Sequence, residues 1–328
     1  MEGSGWDLIH DTRARGRTQC AISVRVVLTF LTAVAAACGG GASSATGTPT
    51  PPSTPSGSGL TPTCVITNGG PGAPINDPSG PYYHQVVVAQ TTDGLAMTGI
   101  KQVIDHASVP DGVRRADGSV LVYYVNGAQG YTWVARFEGD TARVLGQITI
   151  DGMPNPLGVV DPDAVLLPDG RIRLAFFWGF GAPGTALARA MCIAESSDGI
   201  NFTMKGTAFP IGTTETLTDP SLLALQDGTW LMAISAGQNT LIARSADGLT
   251  FTREATLTYG GVPELSRAPD GAVRLYVCRG GITAYRSTDA GRSWTLERTV
   301  ISPPVNGHQI VCDPSLVAGA GLFVFKTG

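Results

Sequence analysis

The chain of 328 residues carries a formal net charge of −4, and only 15% of its residues are charged. Its basic residues are scattered, which argues against a nucleic-acid-binding surface. Its 43 glycines favour an all-β fold with many tight turns, and the length allows a domain with a sizeable core.

The N-terminal segment, residues 1–37, predicts a signal peptide. Arginines precede an apolar run from Val26 to Ala37, which is too short to span a bilayer. Small residues lead directly into Cys38, as in the lipobox of bacterial lipoproteins, whose cysteine is lipidated after cleavage. The alternatives are an ordinary signal peptide, or a buried apolar helix with an incidental cysteine. The lipoprotein interpretation predicts an exported, extracytoplasmic protein that is anchored to a bacterial membrane only through lipid on Cys38.

The segment that follows, residues 38–62, predicts a flexible tether. It consists almost entirely of Gly, Ser, Thr, Pro and Ala and carries no charge, so it has almost nothing to bury. Residues 63–328 are then the folded domain, which we expect to be a monomer held off the membrane surface by the tether.

A repeated proline divides the folded domain into five units. Successive copies are 52, 58, 43 and 51 residues apart. The first four are followed seven residues later by an Asp-Gly turn signal, and Gly321 holds that position in the fifth unit. A period near fifty in a chain of short strands indicates a β-propeller. The prolines are Pro110, Pro162, Pro220, Pro263 and Pro314.

The third unit predicts four antiparallel strands per blade. Its inner strand is Ser221–Ala224, and Trp230–Ser235 and Thr240–Arg244 follow before a fourth strand. At the N-terminus, Tyr82–Ala89 has the position of a third strand without a first or second. After Asp313 the chain has room for only two strands. We therefore predict five blades, with the terminal strands of the domain completing one blade together.

A second turn motif recurs between the third and fourth strands. Ser287–Trp294 matches in full the Asp-box of sialidase-like propellers, Ser196–Phe202 and Ser245–Phe251 are one residue shorter, and Thr91–Leu95 is degenerate. In such a turn the aspartate accepts backbone N–H groups and the glycine takes a positive φ. We therefore expect the Asp-box aspartates to be structural and not catalytic.

The residues beside the repeated prolines form two acidic columns at the start of the inner strands, where we expect them to face the propeller axis. Converging carboxylates repel each other, which raises some of their pKa values. The alternative is that an aspartate before proline caps a turn in each blade. The column before proline is Val109, Asp161, Asp219, Val262 and Asp313, and the column after it is Asp111, Asp163, Ser221, Glu264 and Ser315.

Two units resemble blades of glycoside hydrolase family 43. Ser108–Asp111 ahead of Asp117-Gly118 is similar to that family's second blade, and Val160–Val165 ahead of Asp169-Gly170 is similar to its third. The resemblance implies a five-bladed glycosidase in which Asp161 tunes the general acid.

This chain departs from the family's pattern at the positions of the acid and the base, so other residues would have to supply both. The family's base would come from Asp313, or from Asp77. The family's acid position holds Thr218 here, so Asp219 or Glu264 would have to replace it.

We therefore predict a glycan-acting propeller, a glycoside hydrolase with Glu264 as acid, Asp313 as base, and Asp161 or Asp219 as the tuning and orienting group. The alternative is a non-catalytic propeller that binds glycan or protein in the cell envelope. Sialidase activity is not expected, because no inner strand starts with an arginine that could clamp a carboxylate. Further substrate contacts are predicted for Asp111, Asp163, His106, Trp178 and His308.

The cysteines of the folded domain predict disulfides. Export permits disulfides, and Cys64, Cys192, Cys278 and Cys312 allow three pairings. We favour Cys278–Cys312, because a second strand ends and the next unit's inner strand begins on the same propeller face. The sequence shows no cysteine–histidine spacing typical of a zinc site and no phosphate-binding loop, so no cofactor is expected. A central structural cation stays open.

Overall fold

The computed structural model describes Cys64 and residues 79–153, 159–179, 189–212 and 214–328. The signal peptide, the lipidation site Cys38, the tether and Asp77 all lie outside the described residues. Within the described part of the chain, no helix is long and apolar enough to cross a membrane.

The described residues form 21 strands and one short 3-10 helix at Pro81–Tyr83. In chain order the strands are β1 (Gln85–Gln90), β2 (Thr98–Asp105), β3 (Ala107–Arg114), β4 (Val120–Asn126), β5 (Thr132–Glu138), β6 (Thr141–Gln147), β7 (Thr149–Ile150), β8 (Val159–Leu166), β9 (Ile172–Trp178), β10 (Ala190–Ser196), β11 (Asn201–Pro210), β12 (Thr218–Ala224), β13 (Trp230–Ala236), β14 (Asn239–Ser245), β15 (Thr252–Leu257), β16 (Val262–Arg267), β17 (Val273–Cys278), β18 (Ile282–Ser287), β19 (Thr295–Ile301), β20 (Val311–Val317) and β21 (Leu322–Thr327).

These strands build the predicted five-bladed propeller. From the axis outward, blade I is β20-β21-β1-β2, blade II is β3 to β6, blade III is β8 to β11, blade IV is β12 to β15, and blade V is β16 to β19. The short β7 adds a parallel fifth strand to the outer edge of blade III, which the sequence did not predict. The inner strands contact one another in the order I, II, III, IV, V and back to I.

Blade I confirms the predicted closure. Strand β1 pairs antiparallel with β21, with Val88 opposite Val324. The strand begins at Gln85 and not at Tyr82, because Pro81 starts the 3-10 helix, where its fixed φ and missing N–H are tolerated. One blade is thus made from both ends of the domain, so the ring has no gap between its first and last strands.

The core lies between blades. Each second strand is buried along almost its full length, because neighbouring blades cover both of its faces: β4, β9, β13 and β17 show this. Between blades II and III, for example, Tyr123 packs with Phe176 and Phe202. Outer strands such as β19 are largely exposed to solvent. The short apolar runs of the sequence therefore mark strands that are sandwiched by other blades.

Two disulfides fasten the ring, and one of them is the predicted Cys278–Cys312 bridge. It joins the end of β17 in blade V to the start of β20 in blade I, with 5.0 Å between the Cα atoms. The second bridge, Cys64–Cys192, ties a residue 128 positions upstream to β10 of blade III.

Removal of residues 322–328 tests the closure. The deletion takes β21 out of the middle of blade I, so that β20 and β1 both lose their partner and the apolar contacts of Phe323 and Phe325. We expect loss of cooperative folding, which thermal unfolding followed by circular dichroism would measure. A truncated protein with the parental melting temperature would contradict this closure.

Candidate axial site

Four of the five inner strands have a backbone irregularity at the repeated proline. The residue before proline has a positive φ of 49° at Val109, 54° at Asp161, 48° at Asp219 and 49° at Asp313. The strand register shifts at each of these points, whereas β16 with Val262 pairs regularly. Aspartate tolerates this left-handed region, but a β-branched valine rarely adopts it. The Asp-Pro dipeptide is therefore suited to an inner-strand bulge.

Both predicted columns contribute to one pocket on the axis, which is lined by the whole column before proline and by Asp111, Asp163 and Glu264 of the column after it. It lies at the propeller face on which the inner strands begin, which we call the top face. The space within it is about 20 Å³, enough for roughly one water molecule. A sugar ring does not fit inside this volume, so a glycan would meet the carboxyl groups from the top face. The lining residues that bear carboxyl groups are Asp111, Asp161, Asp163, Asp219, Glu264 and Asp313.

The column after proline forms a closed ring of hydrogen bonds, which we call the axial ring. Each of its five side chains accepts the backbone N–H of the residue two places after the proline of the next blade. The bonds are Asp111 to Ala164 (2.7 Å), Asp163 to Leu222 (2.9 Å), Ser221 to Leu265 (2.8 Å), Glu264 to Leu316 (3.3 Å) and Ser315 to Gly112 (3.0 Å). The last bond joins blade I to blade II and completes the circle.

Glu264, the predicted acid, belongs to this ring. Its Oε1 accepts the N–H of Leu316, and its Oε2 accepts the hydroxyl of Ser221 at 2.8 Å. Only 7% of the residue is exposed. Burial, followed by the charges of Asp111 and Asp163, raises its pKa well above the usual value. Glu264 is therefore at the predicted place, but both of its oxygens have structural partners. Its role as acid stays a prediction.

The other two ring carboxyl groups are equally enclosed. Burial raises the pKa of Asp111 to about 7, and burial with the neighbouring Asp111 raises that of Asp163. Carboxylate oxygens of Asp111, Asp163 and Glu264 all lie within 4.8 Å of one another. One oxygen of Asp111, one of Asp163 and both oxygens of Glu264 accept hydrogen bonds of the ring. The structural cation that the sequence left open stays untested.

The column before proline forms a second group nearer the top face. Asp161 accepts the N–H of Asp219 at 3.4 Å, and the hydroxyl of Thr218 donates to Asp219 at 2.5 Å. Burial, and then the charge of Asp313, raise the pKa of Asp219 to about 6. Burial and both other aspartates raise that of Asp161 well above its usual value. These two aspartates lie on the adjacent blades III and IV.

Asp313 differs from that pair in position and in partner. Blade II with Val109 separates it from Asp161, and blade V with Val262 separates it from Asp219, so Asp313 faces the pair across the axis. Its Oδ2 lies 2.6 Å from the Nζ of Lys326, which reaches in from β21. The sequence analysis missed Lys326, since the residue stands in a second strand and outside the repeated motif.

The remaining predicted contacts do not line the pocket. His106 precedes β3, stacks on Tyr82 with ring centroids 4.0 Å apart, and its Nδ1 lies 2.5 Å from the Tyr82 carbonyl. Trp178 ends β9, where it is half-buried against the core between blades II and III. His308 is half-buried in the loop before β20. Their roles in substrate binding stay predictions.

The Asp-box aspartates have the structural role that the sequence predicted. Asp289 accepts the N–H groups of Arg292 and Ser293 and the hydroxyls of Ser287 and Ser293. The Ser293 hydroxyl and N–H, with the Ser287 hydroxyl, lower its pKa. Asp93 accepts N–H groups in the same way. These groups lie at the ends of third strands, away from the axial pocket.

Comparison with known proteins identifies the fold and no closer relationship. No protein-family model and no curated protein matches the chain. A family 117 glycoside hydrolase from Zobellia galactanivorans is 13% identical, with 76% of this chain and 92% of that chain covered and a TM-score of 0.50. An α-L-arabinofuranosidase from Clostridium thermocellum is 12% identical over 66% and 80% of the chains, also at 0.50. A Dyadobacter fermentans protein of unknown function is 18% identical over 74% and 84%, at 0.50.

The axial ring gives the stability an unusual pH dependence. Its carboxyl pKa values are higher in the folded protein than in the unfolded chain. The contribution of these carboxyl groups to the stability of the folded protein is therefore complete below about pH 4. It is lost as the pH rises through their pKa in the folded protein, which is about 7 for Asp111. We expect the free energy of unfolding, measured with denaturant in the presence of a chelator, to fall between pH 5 and pH 8.

Asp111→Asn keeps an oxygen acceptor for Ala164 without a titrating group, so it should make this fall shallower by up to about 1.4 kcal/mol per pH unit. Asp289→Asn is the control, because the pKa of Asp289 is lowered and the group does not titrate in this window. Stability that rises from pH 5 to pH 8 would contradict the assignment.

Proposed function

We propose that this protein is an exported, lipid-anchored propeller that binds and hydrolyses a glycan at the top face. The observation that carries the proposal is the arrangement of the aspartates before proline. Asp161 and Asp219 lie side by side with raised pKa values, and Asp313 opposes them beside a lysine. Glycoside hydrolysis needs a protonated acid and an ionised carboxylate on opposite sides of the scissile bond.

The roles follow from these contacts. Asp313 is the base, because it is paired with the Lys326 ammonium at 2.6 Å. Asp219 is the acid, which the sequence offered as the alternative to Glu264 at the family's acid position, because the oxygens of Glu264 are engaged in the axial ring. Asp161 accepts the N–H of Asp219 and so orients the acid.

Two observations support a neutral glycan as the ligand. The motif resemblance of blades II and III implies a glycosidase, and solved propellers of this fold include a family 117 glycoside hydrolase and an arabinofuranosidase. The pocket carboxyl groups and the absence of arginine and lysine from the described lining residues suit a neutral sugar better than an acidic one.

A non-catalytic propeller that binds a glycan is the second candidate. The narrow axial space of about 20 Å³ favours it, because the aspartates meet a ligand only from one side. A glycan-array experiment and a screen of chromogenic glycosides separate the two candidates. Binding without cleavage of any glycoside would support the second.

Asp219→Asn tests the acid. On a substrate found in the screen, we expect at least a hundredfold loss of turnover, a typical share for general acid catalysis, with the fold retained. Glu264→Gln is the matched variant, because the sequence prediction and the geometry differ on it. If Glu264→Gln loses the activity and Asp219→Asn keeps it, the sequence prediction is right and our assignment is wrong. Asp289→Asn should lower stability and spare turnover.

Cys38→Ala tests the anchor. Processing of lipoproteins requires the cysteine after the small residues, so the variant should leave the membrane fraction and appear in the soluble extracytoplasmic fraction. Fractionation followed by immunoblotting measures this. Unchanged membrane association of the variant would reject the lipoprotein proposal and leave the proposal for the axial site unaffected.

A further inference from the structure

Lys326 is a buried cation beside the axial aspartates. Its side chain is 13% exposed, and Asp313, its partner at 2.6 Å, is 3% exposed. Burial disfavours the ammonium form, but Asp313, with smaller contributions from Asp219 and Asp161, outweighs this effect, so the pKa of Lys326 lies above its usual value. The ladder pairs Lys326 with Cys312, the residue before Asp313, and its register is shifted between Cys312 and Ser315. Asp313 lies in this bulge, where its side chain meets that of Lys326.

The charges around Lys326 are unequal. Three aspartates before proline face it, from β20, β12 and β8, while β3 and β16 present valines at the same level. Below them lie the three carboxyl groups of the axial ring. Among the described residues, the ammonium forms its ion pair with Asp313, whereas Asp219 accepts a hydroxyl and Asp161 accepts a backbone N–H. One ammonium does not balance three buried carboxylates, so in the presence of a chelator protons supply the rest.

We propose that Lys326 is a positioning residue that sets the protonation of the axial aspartates: it holds Asp313 as the anion and leaves the site's protons to the Asp161–Asp219 pair. Three inner strands contain an Asp-Pro dipeptide, and the lysine distinguishes the one at Asp313 from the other two. Only the catalytic consequence, that base and acid are assigned to opposite sides of the axis, rests on the proposed function.

The first test compares Lys326→Met with Lys326→Arg. Without the ammonium, Asp313 shares the surroundings that protonate its neighbours and takes up a proton on folding. The folding equilibrium constant of Lys326→Met should then fall by one further factor of about ten per pH unit, relative to the parent, over the range in which Asp313 keeps this proton. Lys326→Arg keeps a cation and should restore the parental slope.

Two further variants separate charge from packing. Lys326→Met combined with Asp313→Asn removes the new titrating group, so its slope should return to the parental value. Lys101→Met removes an exposed lysine on β2 and should change no slope. All measurements use denaturant between pH 5 and pH 8 in the presence of a chelator. Lower stability of Lys326→Met at every pH with an unchanged slope would overturn the proposal, because it would show a packing role alone.

A second measurement keeps the parental lysine and does not depend on the folding of Lys326→Met. Infrared difference spectra at pH 6 distinguish protonated from ionised carboxyl groups. Asp161→Asn or Asp219→Asn should remove a protonated carboxyl band, whereas Asp313→Asn should remove an ionised one. Loss of a protonated band in Asp313→Asn would overturn the proposal.

Activity gives a separate outcome. If the glycoside screen finds a substrate, the acid limb of kcat/KM should move to higher pH in Lys326→Met and return in Lys326→Arg, because the base must be ionised. An acid limb that does not move would contradict the role of Lys326. A screen without any cleaved glycoside would contradict the proposed hydrolysis, and the slopes and spectra would still decide the protonation.

Discussion

The structure depends on the hydrogen bonds by which each inner strand receives a side chain from the blade before it. An inner strand is the edge of its sheet, so N–H groups that point to the axis have no partner within the blade. Buried N–H groups without acceptors are costly. The residue after each repeated proline supplies the acceptor to the next blade, and Ser315 closes the circle onto Gly112. The five blades are therefore linked at the axis as a single cyclic network.

The Asp-boxes provide a second link between blades, away from the axis. Tyr123 of blade II donates its hydroxyl to the carbonyl of Gly199 in the turn of blade III, and Tyr276 of blade V does the same to Gly94 in blade I. In blade III, Arg173 donates to Gly248 of blade IV. These three turns are thus held by their own aspartates and by the second strand of a neighbouring blade, whereas the turn of blade V receives Arg244 from the third strand of blade IV at the Ala290 carbonyl. The blades are joined at both places without the column before proline, in which Asp161 alone is described as accepting an N–H of the next blade, that of Asp219. We therefore regard this column as the one available for chemistry.

Much of this architecture follows from the sequence, because the repeated proline fixes where each blade begins. The blades, the closure by terminal strands, the Cys278–Cys312 bridge and the convergence of both acidic columns were predicted from spacing alone. Spacing could not show which column is structural. Residues on either side of a proline both point to the axis, and only the bulge and the distance to the next blade make Glu264 a ring member. Lys326 carried no signal, since no other unit has a lysine at its position.

The two valines of the column before proline separate its aspartates into two sets. Val109 adopts a positive φ that an aspartate would accept with less strain, yet it occupies the blade between Asp313 and Asp161. Val262 occupies the blade between Asp219 and Asp313. Carboxylates at these two positions would surround the axis with acid and remove the distinction between a pair and an opposed single group. The two apolar residues therefore keep the aspartates in two sets across the axis, and Lys326 gives those sets unequal charge. This asymmetry, laid over a nearly fivefold scaffold, is what the proposed chemistry requires.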